Sequence, residues 1–239
     1  MGKIPRLMGT SIKFPDTSQA LEDPNGLLAA GGTLNKETLL SAYQSGIFPW
    51  FEDDSPILWW SPNPRCIIQP EGFAPSKSLK RKARKGGFEI RIDSCFEEVI
   101  DSCKRVHRKK QRGTWITNEM RDAYIELHHS GFAHSIECCI NNHLVAGLYG
   151  VSLGNLFFGE SMFSKRNDAS KCALVSLVRY AEKNGIRLID CQMRTDHLIR
   201  MGAQEIPRKI FLQQLKKLVP RYTQKRDCYE YNSRPAVAS

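Results

Sequence analysis

An α+β fold with a mixed, mainly antiparallel sheet is predicted by three features of this 239-residue chain. Turn signals and prolines crowd the first 65 residues, which favours a small separate N-terminal lobe. Three strand-like runs then follow one another, and tight turns between consecutive strands make such strands antiparallel. A helix after them leads to one more apolar strand, and a strand that returns after a helix typically lies parallel to its neighbour.

Residues 1–66 are expected to form a small N-terminal domain. Asn35 caps a short helix that runs through Tyr43, and Gly46 ends this helix. Four prolines in the following stretch, GIFPWFEDDSPILWWSPNPR, forbid a long helix there. We therefore predict that the remainder of the chain, residues 67–239, forms a second domain.

The second domain is predicted to begin with one strand and two helices. Apolar residues alternate along the segment 88–92, as they do in a strand. Ser94 and Glu97 fit a capping box ahead of an amphipathic helix. Thr117 starts another helix, which Gly131 ends. The inward face of this second helix holds Met120, Tyr124 and Leu127.

A β-meander and a crossover helix complete the pattern. The runs HSIECCI, LVAGLYGV and LFFGESMF predict three strands, joined by tight hairpins at 141–142 and 154–155. Asp168 is expected to cap a long helix, and Gly185 ends it before the strand IRLIDCQM. A meander, a helix and a returning strand form the core of an N-acetyltransferase (GNAT)-like fold, which places its acyl substrate where two strands separate.

The net charge of +10 is concentrated in one segment. Residues 77–112 carry 13 Lys and Arg against 5 Asp and Glu, mostly in the two runs KSLKRKARK and KRVHRKKQR. Two dense basic runs favour a polyanionic partner such as nucleic acid, although a solvated basic face is the alternative. The candidate RNA-binding residues are Lys80, Arg81, Lys82, Arg84, Lys85, Lys104, Arg105, Lys109 and Lys110.

The composition also disfavours several classes of protein. Eight cysteines form no CxxC pair and the histidines form no HExxH motif, so we expect reduced thiols and no metal site. No apolar run approaches the roughly 20 residues of a membrane-spanning helix. The first residues lack the apolar core of a signal peptide. We therefore expect a cytoplasmic protein that does not bind membranes.

Two carboxylates lie inside apolar strands and need an explanation. Asp190 and Gln192 are two residues apart, so side-chain alternation predicts that both point to the same face. Glu160 lies in the neighbouring predicted strand, beside Met162. Each acid could simply pair with an arginine or a backbone N–H, but two of them flanking one crossover favour an acidic site for a cationic amine. Orientation of the amine should then contribute more than removal of its proton.

The identity of the acyl donor follows from what the sequence lacks. A CoA-using member of the predicted fold needs a glycine-rich phosphate loop after GESMF, whereas this chain has SKRNDASKCAL. The basic runs suggest instead a nucleic acid that carries an acyl group. Tryptophans in loop-like contexts can stack on unpaired bases. Trp50 and Trp115 are the candidates for this contact, whereas Trp59 and Trp60 fit stacking or burial equally well.

The motifs PNGLLAAGG, AYQSGIFPWF, LWWSPNPR, GTWIT, HSIE, FGESMFS, LIDCQ, DH, MGA and EIPR occur in order between about residues 13 and 212. Together they resemble the leucyl/phenylalanyl-tRNA–protein transferase family. The resemblance implies transfer of Leu or Phe, and less well Met, from aminoacyl-tRNA to proteins that begin with Arg or Lys. The product would be an N-degron, and no CoA, ATP, metal or other cofactor would be used. A monomer is expected.

The resemblance also implies roles for residues in the matching motifs. Asp190 and Gln192 match a pair that positions and activates the acceptor amine, and Glu160 matches an acidic residue near it. Side chains for the terminal adenosine and ester of the donor are Trp50, Trp115 and Tyr43. The aminoacyl pocket is formed by Met162, Ile189, Leu148, Leu177 and Gly159.

Two other functions remain open from the sequence. A CoA-dependent N-acetyltransferase would share the predicted fold but would use a different donor. A non-catalytic RNA-binding module would explain the charge and the aromatic residues, but it would leave Glu160, Asp190 and Gln192 without a role.

Overall fold

The computed structural model describes residues 4–9, 12–53, 55–75, 81, 87–106 and 116–220, and it has the mixed α+β architecture predicted from the sequence. A small four-stranded sheet with the order β1-β2-β4-β3 forms the N-terminal part. Its strands are β1 (Arg6–Leu7), β2 (Leu27–Gly31), β3 (Phe48–Pro49) and β4 (Leu58–Trp60). Helix α1 (Lys36–Gln44) connects β2 to β3, and it begins as predicted, because Asn35 Oδ1 accepts a hydrogen bond from Thr38 N at 2.8 Å.

A seven-stranded sheet with the order β11-β5-β10-β9-β8-β7-β6 forms the larger part. The pair β9–β10 is parallel and the other pairs are antiparallel, as the predicted mixed sheet requires. The strands are β5 (Arg65–Ile68), β6 (Glu89–Ile92), β7 (Ala133–Ile140), β8 (His143–Leu153), β9 (Leu156–Ser164), β10 (Leu188–Gln192) and β11 (Gln204–Ile206).

The first strand of the large sheet starts before the domain boundary that we predicted. Arg65 and Cys66 fall within residues 1–66, yet they lie in β5, between β10 and β11. One apolar cluster includes Trp59 of the small sheet and Ile67 of the large sheet, so the two sheets share a core. The division of the chain at residue 66 stays a prediction.

Helices cover the large sheet, and two of their predicted starts need comment. The helices are α2 (Phe96–Lys104), α3 (Asn118–His129), α4 (Ala169–Lys183), α5 (Asp196–Arg200) and α6 (Arg208–Leu218). Thr117 caps α3 as predicted, because its hydroxyl accepts a hydrogen bond from Met120 N at 3.1 Å. The Asp168 carboxylate does not cap α4. Asp168 occupies the N-cap position with φ 65°, and its Oδ1 accepts a hydrogen bond from Lys171 Nζ at 2.6 Å.

The predicted capping box at the start of α2 is wrong. Cys95, not Ser94, occupies the N-cap position, and the Ser94 hydroxyl donates to the Ile92 carbonyl at 3.3 Å. The buried carboxylate of Glu137 on β7 accepts hydrogen bonds from the backbone N–H groups of Ser94 and Cys95 instead. A residue on a strand that is distant in sequence therefore binds the backbone N–H groups at the N-cap of this helix and just before it.

The meander forms as predicted, with tight turns that need left-handed backbone. Asn141 and Asn142, between β7 and β8, have φ 50° and 63°, a pattern that suits a two-residue hairpin. Gly154, between β8 and β9, has φ 56°. A Cβ atom there would lie 2.4 Å from the Leu218 carbonyl oxygen, so this turn requires glycine for space as well as for its conformation.

The parallel strands β9 and β10 separate partway along their length, which leaves a gap between them in the sheet. They pair over three positions, ending with Asp190 opposite Phe158. Beyond this pair β9 continues to Ser164 along β8, whereas β10 bulges and follows β5. The strands therefore separate after Phe158.

The segment from 204 to 218 was not assigned from the sequence. Strand β11 forms an edge of the large sheet, and α6 packs beside the end of α1. The seven cysteines in the described ranges are free thiols, as predicted. No helix in these ranges is long and apolar enough to cross a membrane.

Candidate active site

A pocket of about 480 Å³ opens where β9 and β10 separate. Leucines of β8, α4 and α5, together with residues of β9 and β10, make its wall apolar. The pocket volume lies in the range of small-molecule sites. All five residues predicted for the aminoacyl pocket line this cavity: Leu148, Gly159, Met162, Leu177 and Ile189. Their role in holding an aminoacyl group stays a prediction.

The polar end of the pocket is built around Glu160. Its Oε1 accepts hydrogen bonds from Tyr43 Oη and Gln192 Nε2, both at 2.8 Å. Its Oε2 accepts a hydrogen bond from Tyr124 Oη at 2.8 Å. The two phenol oxygens also contact each other. Tyr43 comes from α1, Tyr124 from α3 and Gln192 from β10, so three elements fix this carboxyl group.

Burial changes the ionisation of this group. It raises the pKa of Glu160 to about 7, although the hydrogen bonds from Tyr43, Tyr124 and Gln192 favour the ionised form. The negative charge of Asp190 raises the pKa of Glu160 further. Burial, followed by the nearby Glu160 charge, also raises the pKa values of Tyr43 and Tyr124. The phenols therefore stay protonated at neutral pH, whereas the carboxyl group exchanges its proton there.

Asp190 does not face the pocket with Gln192, and our prediction that the two share a face is wrong. The strand bulges between them, with Cys191 as the extra residue, and Gln192 has φ 62°. One extra residue reverses the alternation of side chains, so positions two apart point to opposite faces. Gln192 lines the pocket, whereas Asp190 is fully buried behind it.

The Asp190 carboxylate forms a buried ion pair with Arg65. Arg65 Nε donates to Oδ1 at 2.8 Å and Arg65 Nη2 donates to Oδ2 at 2.6 Å. Both side chains are 0% exposed. The backbone N–H of Gln192 also donates to Asp190 Oδ1, at 2.9 Å. This bidentate pair therefore holds the bulge that sends Gln192 toward Glu160.

Arg65 and Tyr124 are functional candidates that were not predicted from the sequence. Arg65 lies in the motif LWWSPNPR, and pairing with an arginine was the structural alternative considered for a buried acid, so the motif held the signal. Its guanidinium also donates to the Gly46 carbonyl at 3.0 Å and packs over the rings of Phe48 and Phe211. Tyr124 was read only as an inward core residue of α3, because helical periodicity does not reveal a hydroxyl partner on another element.

The tryptophans separate into different groups. Trp50 lines the pocket and its ring lies 5.4 Å from that of Trp60. Trp59 and Trp60 are buried, and their indole N–H groups donate to the carbonyls of Gly31 and Trp50. Burial is thus the reading that the structure favours for these two. Trp115 lies outside the described residues. Tyr43 is fully buried and lies behind Glu160 rather than on the pocket wall.

Two further residues of the pocket wall were not assigned from the sequence. Cys191 lines the pocket. Contact with the Cys66 thiol and burial raise its pKa, so it stays a protonated thiol. His197, in the quoted motif DH, also lines the pocket. Burial, with the nearby charges of Lys171 and Arg200, lowers the pKa of His197 and favours the neutral imidazole.

Few of the predicted RNA-binding residues can be placed. Lys104 and Arg105 lie at the end of α2 and line a surface depression together with residues from the start of α3. Lys104 Nζ donates a hydrogen bond to Asn118 Oδ1 of α3. Arg81 is exposed. The other predicted residues lie outside the described ranges: Lys80, Lys82, Arg84, Lys85, Lys109 and Lys110. Within those ranges, no group of three or more His, Cys, Asp and Glu side chains is suited to a metal ion.

Comparisons with known proteins agree over both parts of the chain. The family model described as leucyl/phenylalanyl-tRNA protein transferase matches residues 67–216, and the model of its N-terminal domain matches residues 32–63. A leucyl/phenylalanyl-tRNA–protein transferase of Nitrosomonas eutropha is 52% identical over 92% of this chain and 94% of its own length. The transferase from Chromobacterium violaceum is 50% identical over 95% of this chain and 97% of its own length.

These matches make the chain an aminoacyltransferase, and hence an enzyme. It belongs to the leucyl/phenylalanyl-tRNA–protein transferase family, as the sequence motifs predict. Among solved structures, L-PGS from Bacillus licheniformis has a TM-score of 0.42 and 14% identity, covering 70% of this chain and 54% of its own. The C-terminal domain (DUF2156) of a putative lysylphosphatidylglycerol synthetase from Agrobacterium fabrum has a TM-score of 0.44 and 10% identity. The match covers 75% of this chain and 65% of that one.

Proposed function

We propose that the protein transfers a leucyl or phenylalanyl group, and less well a methionyl group, from aminoacyl-tRNA to a protein. The acceptor is the α-amino group of an N-terminal Arg or Lys, and the product is an N-degron. The observation that carries this proposal is the apolar pocket that ends in Glu160 and Gln192, in a chain of this family.

The two ends of the pocket divide the substrate between them. Leu148, Met162, Leu177 and Ile189 surround an apolar space for the aminoacyl side chain. In such an apolar pocket, the binding free energies of substrates that differ by a methylene or two differ by only about 1–3 kcal/mol. Modest selectivity between Leu and Phe is therefore expected. Glu160 and Gln192 receive the acceptor amine, where the carbonyl carbon of the ester also lies.

The preference for a basic N-terminal residue follows from the charge at the site. Of the described residues that line the pocket, Glu160 is the one that carries a carboxyl group. An ionised carboxylate in a partly buried site attracts a cation more strongly than it would in water. We therefore assign acceptor recognition to the Glu160 end and adenosine recognition to Trp50, with Trp115 as the family resemblance implies. Tyr43 is buried behind Glu160, so we assign it to holding that carboxyl group rather than to the adenosine.

Asp190 acts on the reaction indirectly, without contacting the substrate. Its oxygens are occupied by Arg65 and by the backbone N–H of Gln192, and it is fully buried. It is therefore a positioning residue, because it fixes the bulge from which Gln192 reaches Glu160. Gln192 in turn orients the carboxyl group through its Nε2.

The donor is held mainly through phosphates, which position an RNA without reading its sequence. The two basic runs, including Lys104 and Arg105, supply these contacts. We infer a GNAT-like second domain from the meander, the crossover helix α4 and the separation of β9 from β10. We also infer a cytoplasmic monomer that needs no cofactor.

A transfer assay tests this function directly. Labelled Phe-tRNA or Leu-tRNA is incubated with the protein and a peptide that begins with Arg, and the peptide is analysed by mass spectrometry. We expect addition of one Phe or Leu at the N-terminus. The matched controls are the same peptide with an acetylated N-terminus and one that begins with Ala. Acetylation of the peptide from acetyl-CoA, or RNA binding without transfer, would contradict the proposal.

A further inference from the structure

The reaction needs a group that takes a proton from the attacking amine, and the geometry limits the choice. Asp190 is unsuitable, because two donors of Arg65 and the N–H of Gln192 already occupy its oxygens away from the pocket. The Gln192 side chain is an amide, which has no basic nitrogen, and its Nε2 donates to Glu160. Glu160 lines the pocket and carries oxygens that can accept a proton.

The contacts around Glu160 form a ring of oxygen atoms. Tyr43 Oη contacts Glu160 Oε1, Tyr124 Oη contacts Glu160 Oε2, and the two phenol oxygens contact each other. Three contacts between oxygen atoms need three protons, whereas two phenols supply only two. An ionised Glu160 leaves one contact without a hydrogen. An ionised Glu160 accepts from both phenols, and a proton on Glu160 supplies the missing hydrogen, so the ring accommodates both forms of the carboxyl group.

We propose that Glu160 is the catalytic proton acceptor of the transfer reaction, and that Tyr43 and Tyr124 are positioning residues that hold its carboxyl group in the ring. This inference rests on the proposed function. The acceptor nitrogen forms a bond to the carbonyl carbon of the aminoacyl ester and gives one proton to Glu160. The bond from that carbon to the ribose oxygen breaks. Glu160 returns the proton to the leaving ribose oxygen, so the enzyme ends the cycle unchanged.

Burial raises the proton affinity of Glu160, whereas the hydrogen bonds from the elements packed around it favour the ionised form. Tyr43 of α1 and Tyr124 of α3 donate to it, and Gln192 of β10 does the same. Asp190 of β10 carries the neighbouring negative charge, and Tyr149 of β8 lies beside Tyr124 with the ring centroids 5.5 Å apart. The pKa of Glu160, about 7, leaves both protonation states well populated at neutral pH. A general base is most effective when its pKa lies near the working pH.

The first test measures the titration without any substrate. The ¹³C chemical shift of the Glu160 side-chain carboxyl is followed against pH in the full-length protein, with assignment by Glu160→Gln. We expect a midpoint near 7, well above the value of about 4.3 for an exposed glutamate. In Tyr124→Phe the midpoint should move up, because a hydrogen bond to the ionised form is lost. In the control Tyr180→Phe, on α4, it should not move.

The second test measures single-turnover transfer of Phe from Phe-tRNA to an Arg peptide across the pH range. The wild-type rate should rise through the Glu160 midpoint, and a separate step near 8 belongs to the amine. Glu160→Gln should lose the first step and slow about 10²- to 10⁴-fold, whereas the exposed Glu182→Gln should match the wild type. Tyr124→Phe should retain transfer with the first step moved to higher pH.

The outcomes separate this inference from the proposed function. If the wild-type protein transfers neither Phe nor Leu from its tRNA, the proposed function itself is wrong. A wild-type protein that transfers normally, with Glu160→Gln within about threefold of it, overturns only the role of Glu160. A Glu160 midpoint near 4, or an unmoved midpoint in Tyr124→Phe, overturns the role of the oxygen ring.

Discussion

Removing the Asp190 side chain should destabilise the protein because it leaves Arg65 charged and buried. Both side chains are 0% exposed, and two charge-assisted hydrogen bonds of 2.6 and 2.8 Å join them. Breaking such a pair by removing one partner costs about 3–5 kcal/mol. The Asp190→Ala variant also loses the hydrogen bond from Gln192 N, so the upper half of this range is expected.

The assay is equilibrium unfolding in urea, followed by far-ultraviolet circular dichroism. With a slope at the upper end of about 1–3 kcal/mol per molar urea, the midpoint of Asp190→Ala should fall by about 1–2 M. A domain has about 5–15 kcal/mol of stability, so the variant should still fold in the absence of urea. The exposed pair Arg91–Glu89 provides a matched control, and Glu89→Ala should leave the urea midpoint close to that of the wild type.

A double-mutant cycle isolates the pair from other effects of the mutations. Arg65→Met combined with Asp190→Leu replaces the ion pair with apolar groups of similar size, which is often neutral or stabilising. The Gly46 carbonyl then loses its partner, so full recovery is not expected. We expect a coupling energy of about 2–3 kcal/mol. If Asp190→Ala unfolds within about 1 kcal/mol of the wild type, the pair does not hold this part of the fold.

The same variant tests whether Asp190 acts through Gln192. Transfer should be largely lost in Asp190→Ala, whereas affinity for aminoacyl-tRNA should stay nearly unchanged, because neither the apolar wall nor the basic runs contain Asp190. Asp190→Asn should retain the step of the pH–rate profile that we assign to Glu160. Unaltered turnover in Asp190→Ala would remove the positioning role, and loss of that step in Asp190→Asn would assign it to Asp190.

Three further predictions follow from other parts of the structure. Changing Lys104 and Arg105 to Gln should reduce the slope of log affinity for tRNA against log salt by about 1–2, and an unchanged slope would mean a solvated basic face. Leu177→Ala should enlarge the pocket and favour the larger Phe side chain when Phe-tRNA and Leu-tRNA compete as donors. The ratio of Phe to Leu transferred should rise by no more than about 10–200-fold, which is the range for a change of about one methylene group. An unchanged ratio would place this side chain outside the aminoacyl site. Burial raises the pKa of Glu137, so this carboxyl group loses stabilising free energy as the pH rises from its unfolded-state pKa through its native pKa. The non-titrating Glu137→Gln should therefore gain stability relative to the wild type between pH 4 and pH 8, and parallel urea midpoints over this range would contradict the shift.

Local signals in the sequence determined much of the secondary structure. Asn35 and Thr117 cap their helices because an N-cap needs only a side-chain oxygen next to its own helix. The hairpin at Asn141 and Asn142 forms because asparagine tolerates left-handed backbone. Ser94 shows the limit of such reasoning, because Glu137 reaches the start of α2 from a strand that is distant in sequence.

The apolar wall of the site was also predictable, because the motifs of the family occur in order along the chain. Met162 and Ile189 lie on strands that flank the predicted crossover, and both line the pocket. The family resemblance also supplied Leu148, Leu177 and Gly159. Strand periodicity places such residues on one side of a sheet but does not reveal which polar groups meet at its end.

The sequence by itself determined the α+β class, the meander, the family and the side chains of the apolar pocket, because these depend on local periodicity and on motifs. Only the tertiary structure decided which acid lines the pocket. Asp190 meets Arg65 across 125 positions of sequence, and one extra residue in β10 reverses the side-chain alternation. Glu160 meets hydroxyl groups from two helices. Burial and pairing depend on what the fold brings from elsewhere, so a carboxylate's position in a strand does not reveal its partner.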